Sequence, residues 1–325
     1  MRQRMLGRTG QAISEIGFGG GNVGGLLIRG EQRDQVRAVA RAVELGITYF
    51  DTAAQYGDGQ SETNLGRALA ELKPDVIVGT KISVRPADLD AGHARVESMF
   101  EDGLRRLGRE RVDVLFYHGQ IASQPRDGRA LTSEQVLGPL LESFRRFREV
   151  GKVRYLGFTG LGDTAAVLAA IQPNAFDVMH CYFSAANPSA AYAVGPSFAP
   201  QNLGGIVERA SAVGMGLFVI RVLAAGALAG EPERHPIAGG TGGTLISGTD
   251  YQADAERAER LRAVASDLGI SLAEMAIRFV LSHEQISTAL VGISSVDQVE
   301  FAAKAADAGP LPPNVLRRIV ETTTF

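Results

Sequence analysis

From residue 31 onward, two spacings of apolar residues alternate along the chain. Segments with an apolar residue every three or four positions predict amphipathic helices, and the short runs between them, rich in β-branched residues, predict buried strands. Repeated strand-then-helix units are typical of a parallel sheet. The eight predicted strands cover residues 14–19, 48–52, 76–82, 112–118, 153–159, 178–184, 216–222 and 287–293.

The helical spacing predicts a helix after each strand and an additional one before the last strand. These helices cover 31–45, 61–72, 88–107, 133–150, 163–171, 203–213, 251–268, 271–282 and 296–306. Residues 2–13 predict a β-hairpin that closes the bottom of a barrel. Eight units without a break in composition favour an α/β fold with one closed (β/α)8 barrel, the TIM barrel, over two doubly wound domains. We therefore expect a single domain over residues 1–325.

Three long loops follow strands four, six and seven, at 119–131, 185–201 and 223–250. The active sites of such barrels lie at the carboxyl ends of the strands. These loops are therefore expected to select the substrate. The sequence fixes neither their conformations nor the identity of that substrate.

Composition excludes several classes of protein. The chain has 325 residues, of which 45% are hydrophobic and 21% charged, as expected of a globular protein. A net charge of −3, without a long basic run, argues against nucleic acid and acidic membranes as partners. A single cysteine, Cys181, excludes an intrachain disulfide and favours the cytoplasm. No apolar run approaches the roughly 18–20 residues that cross a bilayer, and the N-terminal residues lack a signal core.

Four polar residues follow the predicted strands in a way that suggests chemistry. Asp51, Lys81 and His118 end strands two, three and four, and Tyr56 lies five residues beyond Asp51. In a barrel, strand ends that are distant in sequence converge at one mouth. Taken singly, each residue has an ordinary explanation: a turn former, a structural ion pair or a core histidine. Together they favour a catalytic site.

These four groups suit proton transfer coupled to hydride transfer. A free tyrosine has a pKa near 10, and we expect the Lys81 cation to lower the pKa of Tyr56. Asp51 would keep Lys81 charged and oriented, and His118 would donate to a substrate carbonyl oxygen. The residues thus indicate carbonyl reduction.

The sequence resembles the aldo-keto reductase superfamily at these positions. The run GITYFDTAAQYG over 46–57, followed by Ser61-Glu62 and Leu65-Gly66, is similar to the signature of that family, and the later motifs 79–81, 117–118 and 157–159 extend the resemblance over essentially the whole chain. The opening LGRTGQAISEIGFGG is similar to the bacterial and plant-type branch.

The resemblance implies a (β/α)8 barrel, an extended nicotinamide cofactor and reversible interconversion of carbonyl and alcohol. By motif, Tyr56 is the general acid of reduction and the base of oxidation. Lys81 and Asp51 tune it, and His118 orients the carbonyl. Glu62 supports the site rather than reacting.

The resemblance also places the cofactor, although several positions depart from the family pattern. Thr159-Gly160 stand where many members have Ser-Asn, and His180 where they have Gln; His180 is either a cofactor contact or a buried strand histidine. Residues 220–223 lack the aromatic ring that usually stacks on nicotinamide. The predicted cofactor contacts are Gly21, Asn22, Asp51, Thr159, Gly160, His180, Arg221, Val222, Leu223, Gly226, Gly292, Ser294, Ser295 and Gln298.

The choice between NADP and NAD stays open. NADP is the family default, but residues 292–298 contain neither Arg nor Lys for a 2′-phosphate. Ser294, Ser295 and the helix amino terminus they begin would have to bind it. Arg221 either adds charge near the pyrophosphate or forms a strand-end salt bridge.

One glycine pattern suggests a different fold. Residues 19–24 fit G-x-G-x-x-G, a dinucleotide-binding motif that should open a helix. The helical pattern begins only near Glu31, so we interpret this segment as the first βα loop, beneath substrate and nicotinamide.

The sequence therefore predicts an NAD(P)H-dependent oxidoreductase acting on a small aldehyde, ketone or sugar. The alternative is a catalytically weak barrel that binds nicotinamide nucleotide as a sensor or partner subunit, like the channel-associated members of the superfamily. No metal site is predicted, because the five histidines are scattered. The oligomeric state is not predicted.

Overall fold

A computed structural model describes residues 1–230, 234–239 and 251–324. Eight parallel strands close into a barrel in the order β3-β4-β5-β6-β9-β11-β12-β13, which confirms the predicted (β/α)8 fold. The strands are β1 (Gln3–Met5), β2 (Ala12–Ser14), β3 (Ile16–Gly19), β4 (Tyr49–Asp51), β5 (Ile77–Ile82), β6 (Val112–Tyr117), β7 (Gln120–Ala122), β8 (Leu131–Thr132), β9 (Val153–Thr159), β10 (Leu161–Gly162), β11 (Val178–Tyr182), β12 (Gly216–Ile220) and β13 (Thr288–Gly292).

Helices surround the barrel. They are α1 (Leu26–Arg29), α2 (Gln32–Glu44), α3 (Gln60–Leu72), α4 (Pro86–Asp90), α5 (His93–Leu107), α6 (Ser133–Gln135), α7 (Leu141–Glu149), α8 (Thr164–Ala170), α9 (Ile206–Ala212), α10 (Tyr251–Asp267), α11 (Leu272–Leu281), α12 (Val296–Asp307) and α13 (Pro313–Thr324), with 3-10 turns at Gly7–Thr9 and Ala224–Ala229 and a π turn at Val136–Leu140. No helix in these described ranges has the length and hydropathy needed to cross a bilayer.

Two predicted helices are interrupted. The helix predicted over 88–107 is divided into α4 and α5 because Gly92, between them, has a φ of 87°, outside helical geometry. The helix predicted over 133–150 widens into the π turn around Pro139, which lacks the N–H that a regular helix requires.

The structure adds elements that the spacing analysis missed. Helix α1 begins directly after Gly25, so a short helix does follow the glycine pattern, although the barrel excludes the dinucleotide-binding sheet. Helix α13 buries Val315 and Ile319. The 119–131 loop is partly strand, because β7 and β8 join β10 in a small parallel sheet. In the 223–250 loop, residues 231–233 and 240–250 lie outside the described residues.

The predicted N-terminal hairpin is confirmed and closes the barrel from below. Strands β1 and β2 pair antiparallel, and Leu6 and Ile13 are buried in the cluster that fills the lower barrel. Glu15, with no exposed side-chain surface, pairs with Arg2 at 3.0 Å and with Arg4 at 3.2 Å. Arg4 also donates to the carbonyl oxygens of His283 and Ile286.

Replacing Glu15→Ala is therefore expected to lower the free energy of unfolding by about 3 kcal/mol, because it leaves the Arg4 guanidinium half-buried without its carboxylate. Chemical denaturation measures this change. Asp34→Ala, which removes an exposed i,i+3 partner of Arg37, is the control and should cost less than about 1 kcal/mol. Equal losses in the two variants would contradict the role given to Glu15.

The barrel interior has an apolar lower part and a polar upper part. Side chains alternate along a strand, so the inward position of Tyr49 places Asp51 inward as well, and the inward position of Val178 does the same for His180. The lower cluster contains Tyr49, Ile77, Val114, Phe116, Val178, Phe218 and Leu290. The polar residues above it lie at the carboxyl ends of the strands.

Candidate active site

Asp51 is the buried anion of the site. The Lys81 ammonium pairs with its Oδ1, the Tyr49 hydroxyl donates to Oδ2 at 3.0 Å, and Nε2 of His180 lies 3.3 Å from Oδ2. Burial opposes ionisation, but the positive charge of Lys81 and the contact with the His180 ring outweigh it and lower the pKa of Asp51 to about 2. Asp51 is therefore ionised at neutral pH.

Lys81 is the matching cation. Its side chain is only 2% exposed, and besides Asp51 it donates to the carbonyl oxygen of Thr52 at 2.7 Å. Burial lowers the pKa of Lys81, yet the neighbouring Asp51 carboxylate more than compensates and raises it above the ordinary value. The ammonium therefore stays charged.

Tyr56 lies against Lys81. The Lys81 Nζ is 4.6 Å from the centre of the phenol ring, close enough for its charge to act on the hydroxyl. The loop that carries Tyr56 is fixed by Ser61, whose hydroxyl accepts from Thr52 and donates to the Gly20 carbonyl oxygen.

The prediction that Lys81 lowers the pKa of Tyr56 below its ordinary value is wrong for this structure. Burial raises the pKa of Tyr56 above 10, and the Lys81 cation opposes this rise without cancelling it. The neighbouring charge alone predicts a lower pKa, whereas the loss of hydration on burial acts in the opposite direction and is larger. The phenol is therefore protonated at neutral pH and is ready to act as an acid.

His118 faces Tyr56 from the end of β6. The two rings meet edge to face with centroids 5.6 Å apart, and Nδ1 of His118 is buried without a hydrogen-bond partner among the described residues. Burial lowers the pKa of His118 to about 3, with Lys81 and His180 adding to the effect. A neutral imidazole keeps one N–H donor.

Glu62 lies behind the site. It has no exposed side-chain surface and accepts hydrogen bonds from the Thr80 hydroxyl and from Arg106 Nε. These contacts join α3 to β5 and α5. The position agrees with a supporting rather than a reacting group.

The first βα loop passes over Tyr56. A Cβ at Gly21 would lie 3.4 Å from Cζ of Tyr56, at ordinary contact distance, so the loop backbone lies beside the phenol. The backbone oxygen of Asn22 accepts from Arg29 at 2.6 Å and from the Gly239 N–H at 3.0 Å. Segment 234–239 is thereby joined to the loop.

The predicted cofactor contacts at the ends of β9 and β11 have different surroundings in the structure. Thr159 is buried and its hydroxyl donates to the Tyr117 carbonyl oxygen at 2.8 Å. The Gly160 N–H donates to the His180 carbonyl oxygen. His180 has no exposed surface and lies inside the barrel against Asp51. The expectation that its imidazole contacts the cofactor is not supported by this placement.

A left-handed turn follows β12. Arg221, Ala224, Ala225 and Gly226 all have positive φ values, and the Arg221 charge acts on the Tyr56 phenol. The Val222 side chain is buried in the hydrophobic core, and its contact with a cofactor stays a prediction. Leu223 packs against the same core.

The segment after β13 lies beside the first βα loop. The Ser294 hydroxyl donates to the Gly24 carbonyl oxygen at 2.6 Å, and its N–H donates to Oε1 of Gln298 at 2.8 Å. Ser295 caps α12 by accepting from the Gln298 N–H. Gly292 is exposed at the strand end. The predicted helix amino terminus is therefore present.

The structure thus brings Asp51, Tyr56, Lys81 and His118 together at the barrel mouth, with the 292–298 segment on the side of β13. Sequence reasoning missed Tyr49, which holds Asp51. The strand pattern contained this signal, because Tyr49 is two residues before Asp51 on a strand and shares its face.

In the described part of the chain, no group of three or more His, Cys, Asp or Glu residues has the geometry to hold a metal ion.

A parallel eight-stranded barrel with a buried acid and amine beside a partly exposed phenol and imidazole at its carboxyl end defines the class of protein. The chain belongs to the Aldo/keto reductase family, whose profile matches residues 15–323.

Individual relatives span nearly the same length. An L-galactose dehydrogenase from Arabidopsis thaliana is 29% identical over 304 residues, covering 91% of this chain and 85% of the relative. A probable voltage-gated potassium channel subunit beta from Oryza sativa subsp. japonica is 25% identical, covering 98% and 95%. The structure of an aldo-keto reductase from Klebsiella pneumoniae in complex with NADPH superposes with a TM-score of 0.69 at 20% identity, covering 100% and 96% of the two chains.

Proposed function

We propose that this protein is an NAD(P)H-dependent oxidoreductase that interconverts a small carbonyl compound and its alcohol, with Tyr56 as the general acid and base. One observation carries the proposal. A protonated phenol lies between a buried ammonium and a neutral imidazole, and carbonyl reduction needs these groups around the developing alkoxide.

The residues around the mouth fit a nicotinamide nucleotide. The first βα loop carries no side chain at Gly21, beside the Tyr56 phenol, and the α12 amino terminus with Ser295 offers N–H donors to a phosphate. When bound, the reduced cofactor supplies the hydride. NADPH is the first candidate, since the Klebsiella pneumoniae relative binds it, and NADH is its rival because 292–298 contain no Arg or Lys.

Each of the four residues would have its own role in the reaction. Neutral His118 donates its N–H to the substrate carbonyl oxygen and polarises it. Tyr56 transfers its proton to that oxygen as the alcohol forms. The Lys81 ammonium stabilises the resulting phenolate, and Asp51 keeps the ammonium in place. In alcohol oxidation, the Tyr56 phenolate takes the proton from the alcohol hydroxyl.

The direct test is an assay of carbonyl reduction. The absorbance of NADPH and, separately, of NADH is followed with 4-nitrobenzaldehyde, methylglyoxal, glyceraldehyde and aldose sugars. Saturable consumption that depends on enzyme and carbonyl supports the proposal. Fluorescence titration with each nucleotide gives the cofactor preference at the same time.

A second candidate function is a nucleotide sensor or partner subunit. It is favoured by the similarity to the rice channel subunit over 98% of this chain and by the missing stacking ring at 220–223. Tight nucleotide binding without turnover of any carbonyl in the panel would support this candidate over the first.

The rate of reduction should be independent of pH over a wide range. Reduction requires protonated Tyr56, whose pKa is raised above 10, and neutral His118, whose pKa is lowered to about 3. We expect kcat/KM, which reports the free enzyme, to stay level between about pH 5 and 9 and to fall only as Tyr56 loses its proton at higher pH. An acid limb near pH 6.5 would contradict the neutral state assigned to His118.

A further inference from the structure

His180 is held at the centre of the barrel by aromatic rings. Its strand, β11, lies between β9 and β12. The imidazole stacks on Phe116 with centroids 3.9 Å apart and 15° between the planes, and it meets Phe218 edge to face at 5.7 Å. Packing therefore fixes the orientation of the ring, with Nε2 towards Asp51.

The contact with Asp51 completes a set of three groups around one carboxylate. Lys81 holds Oδ1, whereas Tyr49 and His180 both face Oδ2, at 3.0 Å and 3.3 Å. The His180 contact is electrostatic rather than a hydrogen bond of good geometry. A carboxylate turns easily about its last side-chain bond, so the groups on Oδ2 determine where Oδ1 presents its charge to Lys81.

The charge state of His180 suits this position. Burial lowers the pKa of His180, and the Asp51 carboxylate opposes the change without cancelling it. The charged and titratable groups that act on the ring are Asp51 on β4, Lys81 on β5 and His118 after β6. A neutral imidazole offers Asp51 an N–H dipole and adds no second positive charge beside Lys81.

We propose that His180 is a positioning residue that acts on Tyr56 through Asp51 and Lys81, and that it does not hold the nicotinamide carboxamide. The side chain has no accessible surface, and its Nε2 is directed at Asp51. A residue that binds the ligand directly would present an atom to the pocket. This proposal rests on the proposed function, since its main readout is the rate of carbonyl reduction.

Two variants separate positioning from cofactor binding. His180→Leu removes the N–H dipole, and His180→Gln keeps an amide N–H at a similar distance from the backbone. We expect His180→Leu to lower kcat for 4-nitrobenzaldehyde at saturating NADPH about tenfold, because Asp51 loses a neighbour at Oδ2 and Lys81 is then less well oriented towards Tyr56. Kd for NADPH, measured by fluorescence, should change less than about twofold, and His180→Gln should retain most of the wild-type kcat.

The opposite pattern, with a changed Kd for NADPH and an unchanged kcat, would overturn the proposal. Weaker NADPH binding by His180→Leu, tighter binding by His180→Gln and an unchanged saturated kcat would make His180 a carboxamide ligand. Equal losses of kcat in both variants would leave it a packing residue only.

A double-mutant cycle with Tyr49→Phe supplies a readout without turnover. Both side chains face Oδ2 of Asp51, so their effects on the unfolding equilibrium constant should be non-additive by more than about twofold. Additive effects would contradict the shared carboxylate. An inactive wild-type protein would defeat the proposed function alone, because the cycle and the NADPH titrations still decide the role of His180.

Discussion

Tyr56→Phe is expected to lower kcat for carbonyl reduction by about 10²- to 10⁴-fold, the contribution of a well-placed general acid. The substitution removes one oxygen and leaves a ring of the same shape beside Lys81 and His118. The hydride donor and the polarising imidazole would remain in place. The alkoxide would then lack its positioned proton donor.

The same variant should bind NADPH with nearly unchanged Kd, since the phenol proton is needed in the transition state rather than for binding. Tyr155→Phe is the matched control. Tyr155 lies on β9 and packs on the lower barrel cluster, away from the carboxyl ends of the strands, so removal of its hydroxyl should leave kcat within about twofold. Full activity of Tyr56→Phe would refute the assigned role.

Much of the barrel was predictable because several of its strands are continuous apolar runs and the others are short segments rich in β-branched and aromatic residues. The segment Val153–Thr159 has the same limits in the prediction and in the structure. Polar residues at the ends of such runs, as at Asp51 and Lys81, must converge when the sheet closes. The sequence therefore indicated both the fold and the neighbours of Tyr56.

The remaining features depend on tertiary contacts. Gly92 and Pro139 interrupt helices whose apolar spacing is continuous, so spacing alone overestimated the helix lengths. The Tyr56 pKa depends on burial, which no local pattern reports. The orientation of His180 depends on Phe116 and Phe218, which come from two other strands. Motif matching locates His180 on its strand, but these ring contacts cannot be read from the motif.

The ion pair beneath Tyr56 leads to the second large prediction. Lys81→Met should lower the free energy of unfolding by about 3–5 kcal/mol, because it leaves the Asp51 carboxylate buried without its cation. The double variant Asp51→Asn/Lys81→Met removes both charges and should recover most of that loss. Chemical denaturation of the two variants measures the difference. Lys152→Met is the control, because it breaks the partly exposed pair with Glu101 and should cost less than about 1 kcal/mol.

Activity should not recover with stability in that double variant. Without the ammonium, the Tyr56 pKa rises further, because the lowering influence of Lys81 is larger than the raising influence of the Asp51 charge that the same variant removes. Reduction would lose the stabilisation of the phenolate. Alcohol oxidation at neutral pH would lose more, because the fraction of phenolate available as base also falls. We therefore expect a stable double variant with kcat for reduction about 10²-fold or more below wild type and a still larger loss for oxidation. Recovery of both activities together with stability would show that the pair only supports the fold.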